Sequence, residues 1–384
     1  MENTSFKLSD KIKRTLLLFS GFSFLFSSCT TNPEVNFTGT LTGIDSDTLL
    51  VYIDHMNVRK HLRTDTIALT HNQFEIQVPD SSVFIRLAAK PRSPKEPLRM
   101  MSKPIFFFPG DYLKVSGDIN DYTVSGSEIY DGIAECSEIL NLEKEVSSLN
   151  TEFSRVYKTG DKQALDEIRQ KVKAVYGKLI DVKIAYIKAN PNSETAAYFT
   201  IGMKADKGIE AINLLSDEVK EGRMAGLIQK NLKMYEATIA KEKAKLNMVS
   251  GNAAPDFKLK DLKGKEVTLA SFKGKHLLID FWGTWCGWCI KGIPEMKKYY
   301  AKYSDQIEFL GICCNDTEKK WRQGVDTHKL PWVNVFEGDS EVTINYAIGG
   351  YPTKVLVDPN GKIIQVFTGE TPDLYKKLDE LFMK

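Results

Sequence analysis

The chain has 384 residues, a formal net charge of +2 and 42% hydrophobic residues. That length favours two or three domains over one, and near-neutrality without an Arg/Lys cluster interleaved with aromatics gives no case for a nucleic-acid partner. Six cysteines in so long a chain are too few for a disulfide scaffold, so each is read singly.

The N-terminus carries Lys7, Lys11, Lys13 and Arg14, then an apolar stretch from Leu16 to Phe26, then Ser27, Ser28 and Cys29. The apolar stretch is about half of the ~20 residues that a spanning helix needs. A basic start, a short apolar core and small residues before a processing point describe a signal peptide over residues 1–28. Phe26-Ser27-Ser28-Cys29 resembles the lipobox of a bacterial lipoprotein, although Phe26 stands where Leu is usual. That resemblance implies that Cys29 becomes the lipidated first residue, with residues 29–34 as a polar tether. The alternative is an ordinary signal peptide, or a membrane anchor, with an incidental Cys. In each case the expected location is outside the cytoplasm, where disulfides persist. The lipoprotein reading places the chain in the cell envelope or periplasm, anchored to a membrane, with the outer membrane expected.

Residues 35–125 alternate in hydrophobicity and are dense in turn residues. Strands are expected at Asn36 to Gly43, around Leu49, Val51 and Ile53, and at Val83 to Ala88. Thr64 to Leu69 and Gln73 to Val78 are expected to pair across His71-Asn72. Pro91, Pro94 and Pro97 mark a loop, and Ile105 to Phe108, Leu113 to Gly117 and Tyr122 to Ser125 complete the set. A small antiparallel sandwich or barrel accounts for this pattern. The layout resembles the β-rich, DUF4369-like N-terminal domain found ahead of thioredoxin-like domains in envelope proteins of the Bacteroidetes type. His55, His61 and His71 are isolated in spacing and read as surface or turn residues, so no metal site is expected. Phe106, Phe107 and Phe108 read as a buried strand, with a partner-binding surface as the other option.

Residues 126–250 change to helical periodicity. One helix is expected over Glu128 to Thr151, a second over Lys162 to Ala189, and shorter ones over Ser193 to Ile201 and Gly208 to Leu215. A last amphipathic helix runs from Met224 to Leu246. Cys136, with no Cys nearby, reads as a core thiol. The helical segment suits either a spacer that holds an active site away from a membrane or a dimer interface.

Residues 251–384 alternate strands and helices, as a layered α/β domain does. The apolar run His276 to Trp282 leads through Gly283-Thr284-Trp285 into Cys286-Gly287-Trp288-Cys289, and a helical pattern with Pro294 follows. A first cysteine at a helix N-terminus has unpaired N–H groups and the positive end of the dipole beside its sulfur. Its thiolate is then populated near neutral pH. Cys286 reads as the attacking thiolate, and Cys289, one turn inward, as the resolving thiol. The competing readings of a lone Cys-x-x-Cys are half a zinc site or two unrelated thiols, but the adjacent Cys313 and Cys314 point to opposite faces and make a poor second half.

Asp280 to Cys289 resembles the active-site segment of thioredoxins and of the TlpA/ResA-like thiol–disulfide oxidoreductases, a resemblance that covers residues 251–384. It implies a three-layer thioredoxin-like domain and a catalytic set of Cys286, Cys289, Asp280 and Pro352. Asp280 is implied to be the buried acid beneath the disulfide, taking the proton of Cys289 directly or through water. Tyr351-Pro352-Thr353 resembles the cis-proline loop that faces the pair, with the Tyr351 backbone ready to pair with a substrate chain. Trp282, Trp285, Gly287, Trp288 and Tyr351 are the expected docking residues. Trp288 stands where thioredoxins carry Pro, which leaves the direction of electron flow open.

The expected function is therefore an enzyme that reduces or exchanges protein or small-molecule disulfides, without a cofactor or metal, fed by a membrane thiol donor. Two rivals stand beside it. One is a thiol peroxidase of the same fold, against which the paired cysteine and Gly283 argue. The other is a binding lipoprotein whose redox domain has lost its chemistry.

Overall fold

The computed structural model describes residues 35–44, 46–56, 61–91, 93, 96, 98–101, 103–338 and 340–383. The expected signal peptide, Cys29 and the expected tether, together with Asp45, Pro94 and Pro97, lie outside the described residues.

Among the described residues nine strands come first: β1 (Phe37–Thr42), β2 (Thr48–His55), β3 (His61–Ala68), β4 (Gln73–Ile76), β5 (Val83–Ala89), β6 (Arg99–Met100), β7 (Ile105–Phe107), β8 (Leu113–Asp118) and β9 (Asp121–Ser125). They form two sheets, ordered β4-β1-β8-β9 and β3-β2-β5-β6, with β7 also on β5. Alternation sends Leu49, Val51 and Ile53 of one sheet and Phe37, Leu41, Phe74 and Val115 of the other into a single core, which makes the sandwich. Two expectations are corrected. The pairing is not wholly antiparallel, because β1 and β8 run parallel. β3 and β4 do not pair along their length: β3 lies on β2 and β4 on β1. His71 and Asn72, both at positive φ, make a tight turn closed by a Thr70–Gln73 bridge, and there the chain crosses between sheets. The crossing lets Phe74 and Ile76 reach the shared core, while β3, with Arg63 and Asp65, stays at an exposed edge.

Helices follow: α1 (Glu128–Glu135), α2 (Ser137–Tyr157), α3 (Lys162–Ala189), α4 (Glu194–Phe199), α5 (Ala205–Leu214), α6 (Asp217–Glu221) and α7 (Ala225–Lys245). The single helix expected from Glu128 to Thr151 breaks at Cys136, whose φ of −90° and ψ of 61° leave the helical region. The break lets Tyr130 of α1 stay in the sandwich core while Ile139 and Leu142 of α2 join the helical core. The Cys136 thiol donates to the Gly132 carbonyl, and burial raises its pKa. Phe106, Phe107 and Phe108 are buried, and Phe106 and Phe108 pack into the helical core. Arg223 bridges Asp111 of the sandwich and Glu194 of α4.

The C-terminal part holds β10 (Lys258–Asp261), β11 (Glu266–Thr268), a 3-10 turn (Leu269–Phe272), β12 (His276–Trp282), α8 (Gly287–Tyr303), β13 (Ile307–Cys313), α9 (Glu318–Thr327), β14 (Val333–Phe336), α10 (Val342–Asn345), β15 (Thr353–Val357), β16 (Ile363–Thr368) and α11 (Pro372–Phe382). Its sheet is ordered β11-β10-β14-β13-β12-β15-β16. β12, β13 and β14 run parallel, and β15 is antiparallel to β12. The central strands are buried on both faces, which explains their near-continuous apolar runs. Leu277, Ile279 and Phe281 meet the side of α10 and the 3-10 turn, whereas Leu278 meets α8 and α11. The result is a three-layer domain with β12 at its centre. The Lys241 ammonium of α7 donates to the Ile348 carbonyl, tying the helical segment to this domain.

Candidate active site

The site grows from the end of β12. The chain leaves the sheet at Trp282, and Asp316 fixes the loop that follows: its Oδ2 accepts the Thr284 N–H at 2.9 Å and the Thr284 hydroxyl at 2.6 Å. Trp285 Nε1 donates to the Cys314 carbonyl at 3.1 Å. Gly283 is required by this packing, because a Cβ there would lie 2.5 Å from the Trp285 ring nitrogen. Cys286 then caps α8. It is joined to Cys289 by a disulfide, and the Cys289 N–H donates to the Cys286 sulfur at 3.1 Å. The Cys286 sulfur thus accepts an N–H of the first helical turn, a donor that favours negative charge on its acceptor. Both cysteines are nearly buried, in a cluster with Trp282, Cys313 and Trp321.

Around this pair the surface is aromatic. Trp285 is 52% and Trp288 65% exposed. Trp285 meets the Tyr351 ring edge-on at 5.1 Å, and the Lys291 ammonium lies over the Trp288 ring at 4.7 Å. Gly287 is exposed between the cysteines. Tyr351 is half-buried against the disulfide cluster and accepts a hydrogen bond from the Asn315 side chain; the Tyr351–Pro352 bond is cis. Trp282 is a correction. It is 2% exposed and backs the pair from within the core, so it offers no docking surface. It is an inward residue of the central strand, where both faces are covered.

Asp280 is buried on β12, opposite Lys354 of β15 in the strand register. Sequence reasoning missed Lys354 and Glu370. The Lys354 ammonium lies 3.6 Å from Asp280 Oδ1 but only 2.7 Å from Glu370 Oε2. The Tyr375 hydroxyl donates to the other Glu370 oxygen at 2.8 Å. Burial pushes the Asp280 carboxyl above its ordinary 3.8; Lys354 opposes this and Glu370 adds to it. Burial weakens the Lys354 charge, yet Asp280 and Glu370 together hold its pKa above 10.5. Glu370 approaches under α8 because position 292 is glycine: a Cβ there would fall 2.3 Å from its Oε2. Gly292 is one turn beyond Cys289.

The other thiols are set apart. Cys313 and Cys314 are fully buried on opposite sides of the sheet, and burial pushes both well above the usual thiol pKa, aided by Asp316 at Cys313 and Glu337 at Cys314. Among the described residues no group of three or more His, Cys, Asp or Glu side chains is arranged to hold a metal ion.

A thioredoxin-like fold with a disulfide at the N-terminus of its central helix defines a thiol–disulfide redox domain. Residues 250–366 match the AhpC/TSA family. The chain is 33% identical over 138 residues to the thiol-disulfide oxidoreductase ResA of Bacillus cereus, covering 36% of this chain and 78% of that one. It is 35% identical over 120 residues to ResA of Geobacillus kaustophilus, covering 31% and 69%. The thioredoxin domain of a thiol-disulfide oxidoreductase from Bacteroides vulgatus is 34% identical, with 35% of this chain and 97% of that one covered and a TM-score of 0.33. The chain belongs to the ResA-like thiol–disulfide oxidoreductases.

Proposed function

We propose that the enzyme acts through a cycle of Cys286 and Cys289, with Asp280 as the base of the resolving step. The observation that carries this reading is the Cys289 N–H aimed at the Cys286 sulfur on the first turn of α8. In the reducing direction, the Cys286 thiolate attacks a substrate disulfide; one new S–S bond forms and one substrate thiolate leaves. Cys289 then gives its proton to Asp280 and attacks the Cys286 sulfur. The internal disulfide forms, the second substrate thiolate leaves, and two electrons have passed to the substrate. A thiol donor later reverses the change in the enzyme. The buried acid suits this task, because a carboxyl with a raised pKa takes a thiol proton more readily than an exposed one.

Trp285, Gly287, Trp288 and Tyr351 form the proposed docking surface for a polypeptide or small disulfide, with the Pro352 segment alongside. We place the enzyme in the cell envelope, on a membrane through a lipidated Cys29, with a membrane thiol protein as its electron donor. The basic and apolar N-terminal pattern ending in Ser27-Ser28-Cys29 supports this placement. In this reading the sandwich and helices, residues 35–125 and 126–250, hold the redox domain of residues 251–384 off the membrane, and the helices offer a surface for a dimer.

Trapping tests the cycle. In Cys289→Ser the mixed disulfide on Cys286 has no resolving thiol, so partners should accumulate there and be identifiable by mass spectrometry. No trapped species, or trapping that survives Cys286→Ser, would contradict the assignment.

A further inference from the structure

A buried lysine beside a buried carboxylate ordinarily settles on it. That arrangement would lower the acid's proton affinity by about tenfold to a thousandfold and spoil it as a base near neutral pH. Here Lys354 does not settle on Asp280. Its side chain is 3% exposed and its ammonium lies between two carboxyls, yet it sits 0.9 Å closer to Glu370, at 2.7 against 3.6 Å. Asp280 Oδ1 is left buried with no hydrogen-bond partner.

The position of Glu370 is itself fixed. One of its oxygens takes the Lys354 ammonium and the other the Tyr375 hydroxyl of α11. Its carboxyl fills the space under α8 that Gly292 leaves open, one turn beyond Cys289. The groups that face Asp280 are therefore Lys354 from β15, Glu370 from the connection between β16 and α11, and Tyr375 from α11, with Glu295 of α8 acting on Tyr375.

We propose that Glu370 is a positioning residue for the resolving step: it draws Lys354 away from Asp280 and so keeps Asp280 basic enough to take the Cys289 proton. This deepens the reading of Asp280 as the base and rests on it. The hydrogen bonds of Glu370 go to Lys354 and Tyr375, not to the disulfide sulfurs. It acts through Lys354, and it also raises the Asp280 pKa directly by its own charge. Both effects have the same sign. Removing Glu370 must lower the Asp280 pKa, and removing Lys354 must raise it.

The test is the reaction of the fully reduced chain with 5,5′-dithiobis(2-nitrobenzoic acid) in stopped flow. The first thiolate released reports Cys286 attack and the second reports resolution by Cys289. The rate of the second release is followed against pH, and the Asp280 inflection is the one that Asp280→Asn removes. Glu370→Gln should move that inflection to lower pH by about tenfold or more in proton affinity. Lys354→Met should move it to higher pH. A merely structural role would not shift the two in opposite directions. If Asp280→Asn removes the inflection but Glu370→Gln leaves it in place, or moves it upward, the role of Glu370 is overturned while Asp280 stands as base. If the profile is the same in Asp280→Asn as in the unaltered chain, the base assignment fails and the role of Glu370 fails with it. Because Glu370→Gln keeps the shape of the side chain and leaves Lys354 a carboxylate to pair with, it decides the matter even if Lys354→Met does not fold.

Discussion

Asp316→Ala removes the anchor of the loop that presents the redox pair. Asp316 Oδ2 accepts two bonds from Thr284, at 2.9 and 2.6 Å, and Oδ1 accepts the Thr317 N–H at 3.0 Å at the start of α9. A hydrogen bond to a charged group contributes about 1.5–3 kcal/mol, so the two Thr284 bonds set an upper limit of about 3–6 kcal/mol. Thr284 and Asp316 are both half-buried, so water replaces part of what is lost. The expected destabilisation is therefore about 2–3 kcal/mol, measured by urea unfolding of the oxidised chain. Thr284→Val removes only the hydroxyl bond and should cost about half as much. The loop also holds Trp285 beside Tyr351, so insulin reduction should slow by about tenfold in Asp316→Ala, since small misplacements at a reacting centre are costly. Stability within about 0.5 kcal/mol of the unaltered chain, the scatter of a neutral surface change, together with an unchanged rate, would refute this account of the loop.

Asp280→Asn should stabilise the fold in alkaline solution. The Asp280 pKa is raised on folding, so the folded state binds its proton more tightly than the unfolded chain, whose ordinary value is 3.8. The contribution is favourable below that value and is lost as pH rises through the folded pKa. The variant should therefore be more stable than the unaltered chain at pH 8 and converge with it near pH 4; a constant difference across that range in urea unfolding would contradict the sign. In the reduced native protein, iodoacetamide should modify Cys286 first and leave Cys313 and Cys314 intact until the chain is unfolded, because both are fully buried with raised pKa values; peptide mapping showing early alkylation of either would contradict this. Cys29→Ala should shift the protein from the membrane fraction to the soluble fraction of the envelope, and unchanged membrane recovery on fractionation would remove Cys29 as the anchor.

The disulfide pair and the elements that carry it were legible because their signals are local. Cys286, Cys289 and the apolar run ending at Trp282 lie within one strand–loop–helix passage, and strand period and helix start are short-range signals. What pairs across long separations was not legible. The parallel contact of β1 with β8 spans most of the sandwich, and no local pattern distinguishes it from an antiparallel one. β14 leaves little local signal, since it is four residues long and Asn334 interrupts its apolar pattern. α6 and α10 are too short to show a helical period. Lys354 did leave a trace, as a charge within the buried run Thr353 to Val357, and such a charge needs a partner. Glu370 left none, since an acid before Thr371 and Pro372 reads as an ordinary helix start. Trp282 shows the opposite failure. Aromatic type suggested docking, but its inward place on β12 decided for the core.

The central claim, disulfide exchange through Cys286 and Cys289, is tested most directly by insulin reduction with dithiothreitol as donor, run beside a peroxide-consumption assay on the same full-length preparation. The unaltered chain should accelerate insulin precipitation, Cys286→Ser should fall to the uncatalysed rate, and peroxide consumption should be negligible. Acceleration that persists in Cys286→Ser, or peroxide turnover with negligible insulin reduction, would contradict the account.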